Sequence, residues 1–178
     1  MATEQVIDVA VRRHVLTTDK AFSDVMDGIY SGISQPAIDD VFRDLAAAAS
    51  WPEFTAIVKQ AQGSAGLMQF LALQLDNALT LDPQAGDQTG HHLVRVIAGN
   101  PVTMGQMTRH IADAGSYAPV TILIEGLPGG GTRIAYDSVA SAIVGYRSSP
   151  ASEVATRLDA EVLELLRTAA GIPDAENR

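Results

Sequence analysis

Val94-Arg95-Val96-Ile97-Ala98-Gly99-Asn100-Pro101-Val102-Thr103-Met104-Gly105-Gln106-Met107 changes periodicity within fourteen residues. His92 to Ala98 is apolar and β-branched, as a strand requires. Gly99-Asn100-Pro101 is a corner. Asn100 can cap a helix, and Pro101 suits the first helical position, where its missing N–H is not needed. Val102, Met104, Met107 and Ile111 then recur at helical spacing. Downstream, Pro119–Glu125 and Thr132–Asp137 are two strands joined by Leu127-Pro128-Gly129-Gly130-Gly131, whose glycines supply the positive φ of a hairpin turn. Ser138 opens a short helix through Ile143. Ser149-Pro150 opens the last helix, with Val154, Leu158, Val162, Leu165 and Ala169 on one stripe and Asp159, Glu161 and Glu164 assigned to the wet face. Gly171 and Pro173 stop it.

Upstream, Val6 to Val15 alternates and predicts a half-buried strand. Thr18 is the expected cap of a helix carrying Phe22, Val25, Met26, Ile29 and Ile33. Gly32 and Ser34-Gln35-Pro36 separate it from a second, which buries Ile38, Val41, Phe42 and Leu45. Ser50-Trp51-Pro52-Glu53 is a capping box with proline in the first turn. That helix runs to Ala61. Leu67 to Leu75 alternates with apolar residues on both faces, the pattern of a strand that is central or covered twice. Asp82 to Gly90 reads as a surface loop. These elements predict an α+β fold: a curved, mainly antiparallel sheet of about five strands with helices packed on one face. With no repeat or linker, one domain over 1–178 is expected.

Composition narrows the functions. The chain has 178 residues, a net charge of −9 and no cysteine. Disulfides, thiol nucleophiles, iron–sulfur clusters and cysteine-based zinc sites are excluded. Acidity without a basic run disfavours nucleic acid. No apolar run approaches the ~20 residues of a membrane span, and charges interrupt the N-terminus where a signal peptide would be apolar. A soluble cytoplasmic protein is the expectation.

Gly66-Leu67-Met68-Gln69-Phe70, Leu75-Asp76-Asn77-Ala78, Ile97-Ala98-Gly99-Asn100-Pro101, Tyr117-Ala118-Pro119-Val120 and Ile134-Ala135-Tyr136-Asp137 occur in that order. Together they resemble the family called domain of unknown function 302, over about residues 6–170. The resemblance implies a fold like that of the TATA-binding protein, frequent dimers and no settled activity. Fold likeness carries no DNA-binding function with it. The chain departs from the pattern at Asp76-Asn77-Ala78, where many members have Asp-His-Ala. It departs again at Tyr136-Asp137-Ser138-Val139, where they tend to have Tyr-Asn-Asp-Pro. A role carried by that histidine is in doubt at Asn77.

Several residues are candidates for chemistry, each with a plainer reading beside it. Asn100 at the corner could face an anion or carbonyl, but capping alone accounts for it. Met104, Met107 and His110 could line an apolar pocket and ligate a haem; methionines that simply fill a core are the commoner case. Asp76, Tyr117 and Asp137 are candidates for acid–base work on a small carbonyl or carboxylate, against turn and sheet-edge hydrogen bonding. Tyr117 and Tyr136 are further candidate ligand contacts. His91 and His92 are adjacent on a strand and point apart, so they do not make a metal site. Gly63-Ser64-Ala65-Gly66 lacks the spacing of a nucleophile elbow, and Pro128-Gly129-Gly130-Gly131-Thr132 lacks the lysine of a phosphate loop. The leading expectation is a non-catalytic homodimer that holds a small hydrophobic ligand. Its unsatisfied apolar surfaces are expected on the Leu67–Leu75 strand and on the helices beginning at Pro101 and Pro150.

Overall fold

The computed structural model describes residues 1–84, 86 and 91–173. Residues 85 and 87–90 of the expected surface loop lie outside them. The elements follow the chain as β1 (Arg13–Thr18), α1 (Phe22–Gly32), β2 (Ile33–Ser34), α2 (Ile38–Ala47), α3 (Trp51–Ala61), β3 (Leu67–Gln74), α4 (Asp76–Leu81), β4 (His92–Gly99), α5 (Pro101–Thr108), β5 (Val120–Gly126), β6 (Thr132–Asp137), α6 (Val139–Ile143) and α7 (Ser149–Ala170). One open sheet has the order β1-β6-β5-β4-β3-β2. Every pairing is antiparallel except that of β2 with β3. The architecture is therefore α+β, as expected, with a sixth strand. That strand, β2, is two residues long and too short to give a periodic signal.

Alternation along the strands divides the sheet into two faces. Val94, Val96, Ala98, Ile122, Ile124, Ile134 and Tyr136 point at the helix layer and are buried. They meet Val25 and Ile29 of α1, Met107 of α5, Ile143 of α6, and Leu158, Val162 and Leu166 of α7. Each large side chain fully buried here contributes about 1.5–3 kcal/mol relative to leaving it exposed. The apolar stripe of α7 is thus covered within the chain and needs no second copy. A Cβ on Gly28 would sit 2.9 Å from Ala169 Cα, so glycine is what lets α1 and α7 come together. Met68 points away from Leu67 and joins Val41 and Val58 in a second, smaller cluster with α2 and α3. Phe42 packs edge-on against Phe70 there, with ring centroids 5.4 Å apart.

Caps and ends follow the sequence in most places. Ser50 Oγ accepts from the Glu53 amide at 3.3 Å, but the Glu53 carboxylate takes the Ala49 amide at 2.9 Å rather than that of Ser50. Glycines 129, 130 and 131 all have positive φ in the β5–β6 turn. Three expectations are corrected. The alternation from Val6 predicts a strand, yet pairing begins only at Arg13, where β6 supplies a partner. Thr18 does not cap α1, which starts after Ala21 without a side-chain cap. Its hydroxyl instead donates to Ala170 O at 2.8 Å, beside Lys20 Nζ on Ala169 O at 3.0 Å. Two side chains from the start of the sheet thus satisfy carbonyls that end the last helix.

The third correction concerns Asp159, which is buried rather than wet. Its carboxylate accepts from Tyr136 Oη at 2.6 Å, Ser138 Oγ at 2.5 Å, Val139 N at 2.9 Å and Ala140 N at 3.1 Å. The cluster ties α7 to the end of β6 and the first turn of α6, where an anion is also favoured by free helix amides. Burial, then the bond to Asp159, pushes the Tyr136 phenol well above its ordinary range. Among the described residues, no helix is long and apolar enough to cross a membrane.

Asp159→Ala should lower unfolding stability by about 3 kcal/mol, because it strands several buried donors at once. Exposed Glu161→Ala should stay within about 0.5 kcal/mol of the parent. Urea denaturation of both variants makes the comparison.

Candidate functional site

The second face of the sheet carries the chemistry. Cross-strand register puts Leu73, Arg95, Leu123, Ala135 and Val15 in one row over β3, β4, β5, β6 and β1. A parallel row holds Leu93, Glu125, Arg133 and Thr17. A further pair, Arg13 with Asp137, closes the β1–β6 edge. Helices leave much of this face uncovered: Val15 is 51 % exposed and Leu71 47 %. β3 is therefore not doubly covered along its length. Its register shifts between Gln69 and Leu71, and past Met68 only β4 pairs with it.

A trough of about 480 Å³ lies on this face. Leu123 and Ala135 form part of its apolar lining, joined by Leu75, Pro119, Val139 and Ala142. Arg13, Arg95, Arg133, Tyr117, Thr121 and Asp137 supply polar groups. Two of the three guanidiniums are engaged. Arg13 grips Asp137 through two hydrogen bonds of 2.7 and 2.8 Å. Arg133 Nη1 lies 3.3 Å from Glu125 Oε2, which belongs to the same row. Arg95 reaches only Thr121 Oγ1, at 3.4 Å.

Tyr117 and Asp137 are thus brought to one cavity. Asp76 is not: it begins α4, and its Oδ2 lies 3.7 Å from His92 Nδ1. Its Oδ1 is buried without a hydrogen-bond partner. His92 also stacks on Phe22, with centroids 4.9 Å apart. The bond to Arg13 holds the Asp137 carboxyl below its ordinary range. A carboxylate held that low is a weak general base near neutrality.

The other expected ligand contacts do not gather. Asn100 is a rivet. Its Oδ1 accepts from Val102 N at 2.9 Å and Thr103 N at 3.3 Å, while its Nδ2 donates to Gln62 Oε1 at 2.8 Å and Gly66 O at 2.9 Å. All of its hydrogen-bonding capacity is used. Met107 is wholly inside the core, whereas His110 is exposed beyond the end of α5 and accepts from Arg109 Nε at 3.2 Å. Met104 touches a cavity of about 10 Å³, room for about one water. The three do not frame a slot for a flat macrocycle. Tyr136 faces the helix layer, its hydroxyl committed to Asp159. Among the described residues, no group of three or more His, Asp or Glu could hold a metal ion. A second depression, of about 580 Å³, opens on the helix side between Gly32, Gly66, Glu161 and Leu165.

Sequence reasoning missed Arg95 and the trough around it. The signal was present: arginine interrupts an otherwise apolar strand, and the hairpin register carries Arg133 and Asp137 to the same face.

No family model matches the chain, and no curated protein matches it significantly. Among solved structures it is similar to the crystal structure of the uncharacterized conserved protein DUF302 from Bacillus stearothermophilus. The two superpose with a TM-score of 0.57 at 9 % identity, over 88 % of this chain and 97 % of the other. The chain has the DUF302 fold. At that identity the likeness concerns the path of the backbone, which agrees with the resemblance carried by the sequence segments.

Because the folded Asp137 carboxyl titrates lower than the unfolded one, its stabilising contribution is present above about pH 4 and lost as pH falls through the folded value. In Arg13→Gln the carboxyl should titrate higher than in the parent, because the bond that lowers it is gone. Carboxyl-carbon NMR against pH reads this directly; an unmoved titration would show that Arg13 is not the cause.

Proposed function

We propose that this protein is a cytoplasmic, homodimeric binding protein that holds a small hydrophobic molecule in the trough on the open face of its sheet. The observation that carries this reading is the trough itself, whose volume of about 480 Å³ falls within the ~300–1,000 Å³ of small-molecule sites. Its lining is mixed: Leu75, Leu123, Ala135, Val139 and Ala142 give apolar contact to a guest, and the polar side chains beside them orient it. Such a site selects by shape and by one or two polar contacts.

A second copy is the cover this face calls for. Val15 and Leu71 are exposed there, and the chain before β1 exposes Val6, Ile7, Val9 and Val11. Val11 itself reaches the trough. An alternating segment that runs on from an edge strand without a partner is suited to pair with another chain. A symmetric dimer built this way buries the apolar rows and leaves the trough enclosed between subunits.

Native mass spectrometry of freshly purified protein should report two subunits together with a co-purifying small molecule. Leu123→Trp, which fills the trough from its floor, should lose that molecule and keep the dimer. Val15→Arg should shift sedimentation toward the monomer. A parent protein that sediments as a monomer at micromolar concentration would overturn the dimer, and an empty parent that binds no hydrophobic probe would overturn the ligand.

A further inference from the structure

We propose that the trough takes an amphipathic monocarboxylate, its charged end paired with Arg95. The inference deepens the reading of the trough as a binding cavity and rests on it. Arg95 is the second residue of the five-residue row that crosses the sheet, flanked by Leu73 and Leu123. Among the described residues no carboxylate pairs with it. Its one hydrogen bond is the long contact of 3.4 Å to Thr121 Oγ1. A guanidinium offers five N–H donors in a planar fork, a geometry that matches a carboxylate in bidentate fashion.

The charge balance of the face sets the number of charges on the ligand. Arg13 and Arg133 are already neutralised by Asp137 and Glu125. One positive charge is left over, beside two carboxylates that repel further negative charge. A single carboxylate satisfies that arrangement; a phosphate dianion brings a second charge with no partner. The chain as a whole is acidic, with a net charge of −9, so this focus of positive potential stands out against its surroundings. The tail of the ligand is set by Leu75, Leu123, Ala135, Val139 and Ala142, which offer hydrocarbon contact and no hydrogen bond from their side chains. Head and tail together describe a molecule with one carboxylate and a short aliphatic or aromatic body.

Octanoate and octanol differ only at the head group and make the test. By isothermal titration, the parent should bind octanoate at least tenfold more tightly than octanol. Rising salt should weaken octanoate and leave octanol unchanged. Arg95→Gln should bring the two affinities together by weakening octanoate alone. Arg109→Gln, altered outside the trough, should keep the parent's preference. Equal binding of both probes by the parent, or an octanoate preference that survives Arg95→Gln, overturns the charge inference while leaving the cavity reading in place. Failure of both probes to bind overturns the cavity reading and this inference together.

Discussion

The buried carboxylate of Asp159 is the constraint on which the arrangement of this fold depends. Four donors converge on it, from β6, from the residue that caps α6 and from the first amides of α6. A carboxylate taken out of water at that depth is tolerated only when its lone pairs are filled. Filling them fixes the angle at which β6 turns into α6 and the height at which α7 crosses behind it. Tyr136 is therefore a structural phenol. Its neighbour Asp137, one residue on, points to the other face and pairs with Arg13. One strand end thus anchors the helix layer on one side and frames the trough on the other.

The division of labour between the two faces explains where chemistry gathers. The inner face is a dense apolar layer, sealed by α1 and α7 and drawn tight where Gly28 meets Ala169. The outer face keeps arginines, two carboxylates and two threonines among leucines. Its ion pairs lie at the sheet surface, where water screens them, so they contribute little to stability. Their effect is to hold Arg13 and Arg133 in place and leave Arg95 as the cation in the row without a carboxylate.

Much of this architecture was legible in the sequence, because the strongest signals are local. The Asn100-Pro101 corner, the glycine turn after Gly126, the Ser50 cap and the Gly171 stop each specify a backbone geometry with little help from elsewhere. The site was less legible. Asp159 sits beside Glu161 and Glu164 and reads as one more solvated charge; its burial depends on Tyr136 and Ser138, more than twenty positions earlier. Residues Val6 to Val11 have the alternation of a strand, but pairing needs a neighbour, and β6 ends opposite Arg13. Met104, Met107 and His110 follow one another at helical spacing until α5 ends at Thr108, which leaves His110 outside. Arg95 and Arg133 lie far apart in the chain and share a face only through hairpin register.

The clasp between Thr18, Lys20 and the carbonyls of Ala169 and Ala170 has a consequence for biogenesis. Strands β4 to β6 leave the ribosome with their greasy inner side already defined, yet α7, which completes the helix layer over it, is made afterwards. Until translation passes residue 170, the helix layer over the nascent sheet is incomplete and β1 has no latch. The clasp can therefore close only after nearly all of the described chain has been made, and it joins the first strand to the last helix.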